Sequence, residues 1–105
     1  MITEIAILTI RPQDKPAFET SFSQAQHIIS GMDGYLGHEL LQCIEHDNQY
    51  LLVVKWESLE AHTIGFRQSP EYQKWKQLLH HFYEPFPTVE HYQQISHLSF
   101  PRNKK

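Results

Sequence analysis

The chain has 105 residues, 40% hydrophobic and 20% charged, which predicts one globular domain with a modest core and excludes the charge-rich signature of disorder. The formal net charge is −3 and no dense Lys/Arg face occurs, which argues against nucleic acid as a partner. A lone cysteine, Cys43, cannot build an internal disulfide or a thiolate metal cluster. The amino terminus has no signal-like pattern, and nothing approaches roughly eighteen consecutive apolar residues. A cytoplasmic protein without membrane association is expected, with a domain over residues 1–97 and a tail over 98–105 whose basic end, Arg102 to Lys105, reads as solvated.

Ile2 to Ile10, rich in Ile, Leu and Thr, predicts a buried first strand. Asp14 is placed to cap a following helix, and Pro16 falls where a first helical turn tolerates it. From Pro16 to Ser30, Phe18, Phe22, Ala25, Ile28 and Ile29 recur at intervals of three and four, an amphipathic helix that should stop within Gly31 to Gly34. Tyr35 to Glu45 and Gln49 to Glu57 read as two strands joined by the polar His46, Asp47 and Asn48. The continuous apolar run Leu51 to Val54 implies that both faces of the second of these are covered and that it is central in its sheet.

Ser58 can cap a short helix through about Arg67, and Ser69 followed by Pro70 signals another, with Tyr72, Trp75, Leu78, Leu79 and Phe82 on one stripe. Pro85 and Pro87 end it, and Thr88 to Ile95 returns as a last strand. The order βαββαβ predicts an α+β, ferredoxin-like fold: a four-stranded antiparallel sheet with both helices on one face. The apolar opposite face then needs a cover, and a second copy forming a symmetric homodimer is the expected one.

Three segments carry a resemblance: Trp56, Glu57, Ser58, Leu59, Glu60 and Ala61; Phe66 to Tyr72; and Phe86 to Tyr92. Together they resemble the antibiotic biosynthesis monooxygenase family, a branch of the dimeric α+β barrel superfamily, over roughly residues 2 to 95. The resemblance implies a protomer whose sheet joins its mate's in a two-subunit barrel, with a pocket between helices and sheet. It also implies a choice among cofactor-independent oxidation of aromatic polyketides or quinols, haem degradation, and binding without an assigned reaction. Haem-degrading members carry an asparagine on the first strand, a tryptophan in the helix after the strand-end tryptophan, and a histidine four residues after an aromatic. Here the first strand lacks asparagine, Gly65 and Phe66 stand in the helix, and Lys76 lies four residues beyond Tyr72. His80 and His81 follow about one turn later and leave haem open. Many quinol-oxidising relatives carry histidines where this chain has Phe66 and Glu71.

Eight histidines invite a metal hypothesis, but the adjacent His80 and His81 point in different directions on a helix and no HExxH occurs, so no metal site is expected. His80 with Glu84 reads as a helix-end pair. The leading expectation is cofactor-free oxygenation of a small aromatic or quinol substrate, which needs a base, a donor for the developing anion and an apolar wall. His62 is the candidate base, against the alternative of a helix-surface histidine. Trp56 and Tyr72 are candidate catalytic donors, and Phe66, Arg67, Trp75 and Tyr92 candidate substrate contacts, with core packing the competing role for each aromatic. The alternative for Arg67 is an ion pair with a carboxylate such as Glu71. His38 and His91 fall on opposite edge strands, apart within one subunit, and read as polar edge residues or as groups that meet across a dimer.

Overall fold

The computed structural model describes residues 1–101; the basic tail expected at Arg102 to Lys105 lies outside them. Strands β1 (Ile2–Thr9), β2 (Tyr35–Gln42), β3 (Gln49–Trp56) and β4 (Val89–Tyr92) form one antiparallel sheet in the order β2-β3-β1-β4. Helix α1 (Lys15–Ile29) and helix α2 (Pro70–Leu79) pack on one face, as the ferredoxin-like order requires. The last strand is shorter than expected because only Val89 to Tyr92 find partners, opposite Ala6 to Thr3. Among the described residues, no helix is long and apolar enough to cross a membrane.

Alternation decides what each strand buries. On β3, Tyr50, Leu52, Val54 and Trp56 are buried while Leu51 and Val53 are half-buried, so one face alone is covered within the protomer. The covered face meets Phe18, Phe22, Ala25 and Ile29 of α1 and Trp75 and Leu79 of α2. On the uncovered face Ile7 is 52% and Leu41 45% exposed, in one row with Leu51. β3 is thus central, as its apolar run implied, but its second face is left open.

Two caps act as read and one does not. The Ser58 hydroxyl accepts from the Ala61 N–H at 3.1 Å, and the Ser69 hydroxyl accepts from the Tyr72 N–H at 3.2 Å. Asp14 occupies the residue before α1, but its carboxylate is taken by Arg11 Nε at 2.8 Å and bonds no helix N–H. The short helix after β3 is π-helical over Ala61–Phe66, with Arg67 N–H reaching back five residues to the His62 carbonyl at 3.0 Å.

Gly34 fixes where that π-helix sits. Its φ is +84°, and an added Cβ would lie 2.6 Å from the Ala61 Cβ, so backbone conformation and close approach both require glycine. Gly34→Ala is expected to cost roughly 2–4 kcal/mol, from overpacking plus the left-handed backbone penalty. Urea denaturation checks this, and Ala61→Gly in the same chain should recover the packing part alone.

Candidate active site

The site begins with a charged residue on the core side of the first strand. Glu4 has the same parity as Ala6, Leu8 and Ile10, so the pleat turns its side chain inward and leaves it 6% exposed. Trp56 Nε1–H donates to Glu4 Oε1 at 2.9 Å, and His62 Nε2 lies 3.4 Å from the same oxygen. Oε2 has no hydrogen bond among the described residues, and no enclosed side-chain oxygen or nitrogen there is left unpartnered. It therefore faces the cavity that Glu4 lines. Burial raises the Glu4 pKa, opposed first by the indole hydrogen bond and then by the Arg67 charge.

His62 comes from the π-helix. The wider turn holds His62 and Phe66 together over the Trp56 indole, with His62 stacked at 5.3 Å and 19° and Phe66 at 5.9 Å. His62 Nδ1 lies 2.8 Å from His91 Nε2, one of the two carrying the shared proton. Burial, then Arg67, then His91 push the His62 pKa down to about 3. The imidazole is neutral at pH 7, and the near-neutral titration expected of it is displaced.

The cavity, about 410 Å³, lies between the sheet and the helices. Its walls are Phe66, Tyr72, Trp75, Tyr83 and Phe86, with Ala6, Leu8, Leu52 and Val89 as its floor. Glu4, His62, Arg67 and His80 supply the polar groups. Arg67 forms no ion pair with Glu71 or any other described residue, and its charge bears on Glu4, His62, Tyr72 and His91. His80, expected at a helix end with Glu84, instead lines the cavity between Tyr72 and Phe86, with ring centroids at 5.9 and 5.0 Å. Burial and then Lys76 lower its pKa.

Of the residues singled out from sequence, His62, Phe66, Arg67, Tyr72 and Trp75 meet around this one space. Two do not. Trp56 is fully buried behind His62 and its N–H is committed to Glu4, so it orients the carboxyl and cannot donate to a substrate. Tyr92 is 55% exposed on the opposite face of the sheet, because its parity on β4 differs from that of His91. His38 and His91 do lie on opposite edges, but both point inward, and His38 bridges Tyr35 Oη at 2.6 Å and Gln26 Oε1 at 3.1 Å. Glu4 escaped notice although its parity with Ala6 and Leu8 marks a carboxylate on a core face. Among the described residues no cluster suited to a metal ion occurs.

The His62 pKa sets a stability test. Because it is depressed on folding, the unfolded chain binds the extra proton below its ordinary value of 6.5, and stability falls as pH drops from there toward 3. Between pH 6.5 and 5 the wild type is expected to lose roughly 1–2 kcal/mol that His62→Gln does not lose, read from urea midpoints across that range. The raised Glu4 pKa acts in the opposite sense in both proteins, stabilising the fold as pH falls.

The family model for antibiotic biosynthesis monooxygenase matches residues 1–78. The uncharacterized protein YczJ of Bacillus subtilis is 56% identical over 95 residues, which is 90% of this chain and 100% of that protein. A heme oxygenase (mycobilin-producing) of Mycobacterium tuberculosis is 35% identical over 46 residues, 44% of each chain. A crystal structure from Bordetella bronchiseptica with the same family designation superimposes with TM-score 0.85 at 34% identity, over 90% of this chain and 96% of that one. SnoaB, a cofactor-independent oxygenase of Streptomyces nogalater, shares the fold with TM-score 0.65 at 22% identity, over 90% and 95% of the two chains. The match over most of the chain, with the sheet order and the covered face that carry it, makes this protein a member of the antibiotic biosynthesis monooxygenase family.

Proposed function

We propose that the protein is a cofactor-independent monooxygenase that oxidises an electron-rich phenol or quinol with molecular oxygen. The observation that carries this is the buried Glu4 carboxyl, with one oxygen held by the Trp56 N–H and the other presented to an aromatic-walled cavity beside Arg67. Deprotonation makes a phenol a far better electron donor, so a positioned base together with a cation for the phenolate is what such chemistry asks of a protein. Glu4 Oε2 takes the hydroxyl proton, Arg67 and the Tyr72 hydroxyl hold the resulting oxyanion, and Phe66 and Trp75 stack on the ring. The phenolate passes an electron to oxygen, the pair recombines at a ring carbon bearing hydrogen, and water leaves. One oxygen atom becomes a second carbonyl, and the other departs as water with the ring hydrogen and the proton that Glu4 gives back. A burial-raised carboxyl pKa suits Glu4 for this exchange better than the depressed value suits His62.

A haem reading is favoured by one feature. His80 lines the cavity and its ring nitrogens form no hydrogen bond among the described residues, whereas His62 Nδ1 is taken by His91 and its Nε2 sits 3.4 Å from Glu4. His80 would be the ligand and Arg67 the partner of a propionate; bound haem would itself supply the oxygen chemistry.

Oxygen uptake by the chelator-treated protein on a panel of hydroquinones and polycyclic phenols tests the first reading. Saturable turnover is expected, with Glu4→Gln reducing kcat about 100-fold or more. No uptake, together with a hemin Soret band abolished by His80→Ala, would transfer the assignment to haem.

A second copy is proposed to cover the open face around the uncharged apolar row Ile7, Leu51 and Leu41. The lone cysteine suits a cytoplasmic setting. Light scattering at micromolar concentration should give a dimer that Ile7→Lys with Leu51→Lys dissociates, and a wild-type monomer would remove the barrel arrangement.

A further inference from the structure

The protein has five tyrosines, and their hydroxyls divide by partner. Tyr35 Oη meets His38 Nδ1, Tyr50 Oη donates to Glu19, and Tyr92 Oη donates to Glu90. The hydroxyls of Tyr72 and Tyr83 form no hydrogen bond among the described residues, and these two residues line the cavity. Tyr72 stands with Arg67 and Glu4, whose charges act on it. Tyr83 is 9% exposed, and no fully enclosed side-chain oxygen or nitrogen among the described residues lacks a partner, so its hydroxyl opens on the space its ring lines. A phenol this deeply buried ordinarily finds a hydrogen-bond partner.

The backbone brings Tyr83 in from the end opposite Glu4. It bridges Ile10, and the Glu84 N–H that follows it donates to the Thr9 carbonyl at 2.8 Å. The cavity floor on β1 runs through Glu4, Ala6 and Leu8, roughly 13 Å of strand, and Ile10 is the next inward residue beyond it. A floor of that length takes more than one aromatic ring. The Tyr83 ring packs 5.5 Å from His80 and 5.8 Å from Phe86. Burial first, then Tyr72 and Glu4, raise its pKa, so the hydroxyl keeps its proton and is a donor.

We propose, resting on the oxygenase reading above, that Tyr83 determines specificity by donating its hydroxyl hydrogen bond to a second oxygen of the substrate, on the ring farthest from the hydroxyl that Glu4 deprotonates. The substrate is then a phenol of two or more rings that carries a neutral acceptor, such as a carbonyl oxygen, at its far end. The two ends of the cavity ask for different chemistry. At the Glu4 end a base and a cation meet a group that loses its proton. At the Tyr83 end the donor is neutral, and so is the adjoining His80, whose pKa burial and then Lys76 lower. Tyr83 gives up no proton and touches no reacting atom. A substrate lacking the second oxygen leaves a buried donor unpaired, which is how a hydrogen-bonding site rejects an analogue.

The test uses 2-naphthols that carry an acetyl group at position 5, 6 or 7, each paired with the isosteric isopropenyl compound, so that members of a pair differ by the oxygen and not by shape. Anaerobic isothermal titration calorimetry reads their binding without turnover. The wild type is expected to prefer the acetyl member of at least one pair about three- to ten-fold. Tyr83→Phe, which keeps the ring against His80 and Phe86, should erase that preference, and Tyr72→Phe should retain it. No preference in the wild type, a preference that survives in Tyr83→Phe, or one lost equally in Tyr72→Phe overturns the proposal, as does absence of binding by every naphthol. A second measurement does not depend on how a variant folds: NMR on protein labelled with ¹³C at tyrosine Cζ. The acetyl compound should move the Tyr83 Cζ signal further than its isopropenyl mate does, and equal shifts overturn the proposal. An acetyl preference erased in Tyr83→Phe, without oxygen uptake on any phenol, would leave the Tyr83 contact standing and remove the oxygenase reading. Oxygen uptake with no pair discriminated would do the reverse.

Discussion

Burying a carboxyl on the core face of a central strand costs on the order of several kcal/mol unless hydrogen bonds and charges offset it, and much of this site is arranged as that offset at Glu4. The Trp56 indole donates to it, His62 approaches the same oxygen, and the Arg67 charge lowers the cost further. Each partner has its own supports. Trp56 is fully buried under Phe66 and His62, and His62 is held by the π-turn, which in turn seats its Ala61 against Gly34. The polar centre and the packing around it are therefore one construction.

That construction explains the π-helix. An α-helical turn would carry the backbone through this segment with one residue fewer per loop of hydrogen bonds, whereas the wider turn keeps His62 and Phe66 both buried over Trp56. Phe66 then reaches Tyr72 and Trp75 edge-on, at 5.2 and 5.7 Å, and so joins the indole layer to the cavity wall. Local irregularity in the backbone is what brings an imidazole between a strand carboxyl and an edge-strand histidine.

The two faces of the sheet divide the labour. The helix-covered face carries the core and the cavity, and the other presents Ile7, Leu41 and Tyr92 outward. Residues one position apart on a strand thus belong to different functions. His91 meets His62 inside while Tyr92 lies outside, and Glu4 faces the cavity while Thr3 and Ile5 border a concavity on the far side.

Much of the fold was legible from pattern alone. Apolar spacing and caps at Ser58 and Ser69 marked the helices, the β-branched runs marked the strands, and their order determined a ferredoxin-like sheet, because each of these signals is local. Five of the seven candidate site residues share the cavity because strand-end and helix spacing already gather them. The rest depended on neighbours distant in sequence. Whether Trp56 meets substrate or Glu4, whether Arg67 pairs with Glu71, and whether His91 is an edge residue or a partner of His62 are decided by contacts spanning up to 52 positions. Local sequence determined which residues lie on which face; only the tertiary structure decided which polar groups on that face come within hydrogen-bonding reach, because that depends on strand register and on how the π-turn is seated.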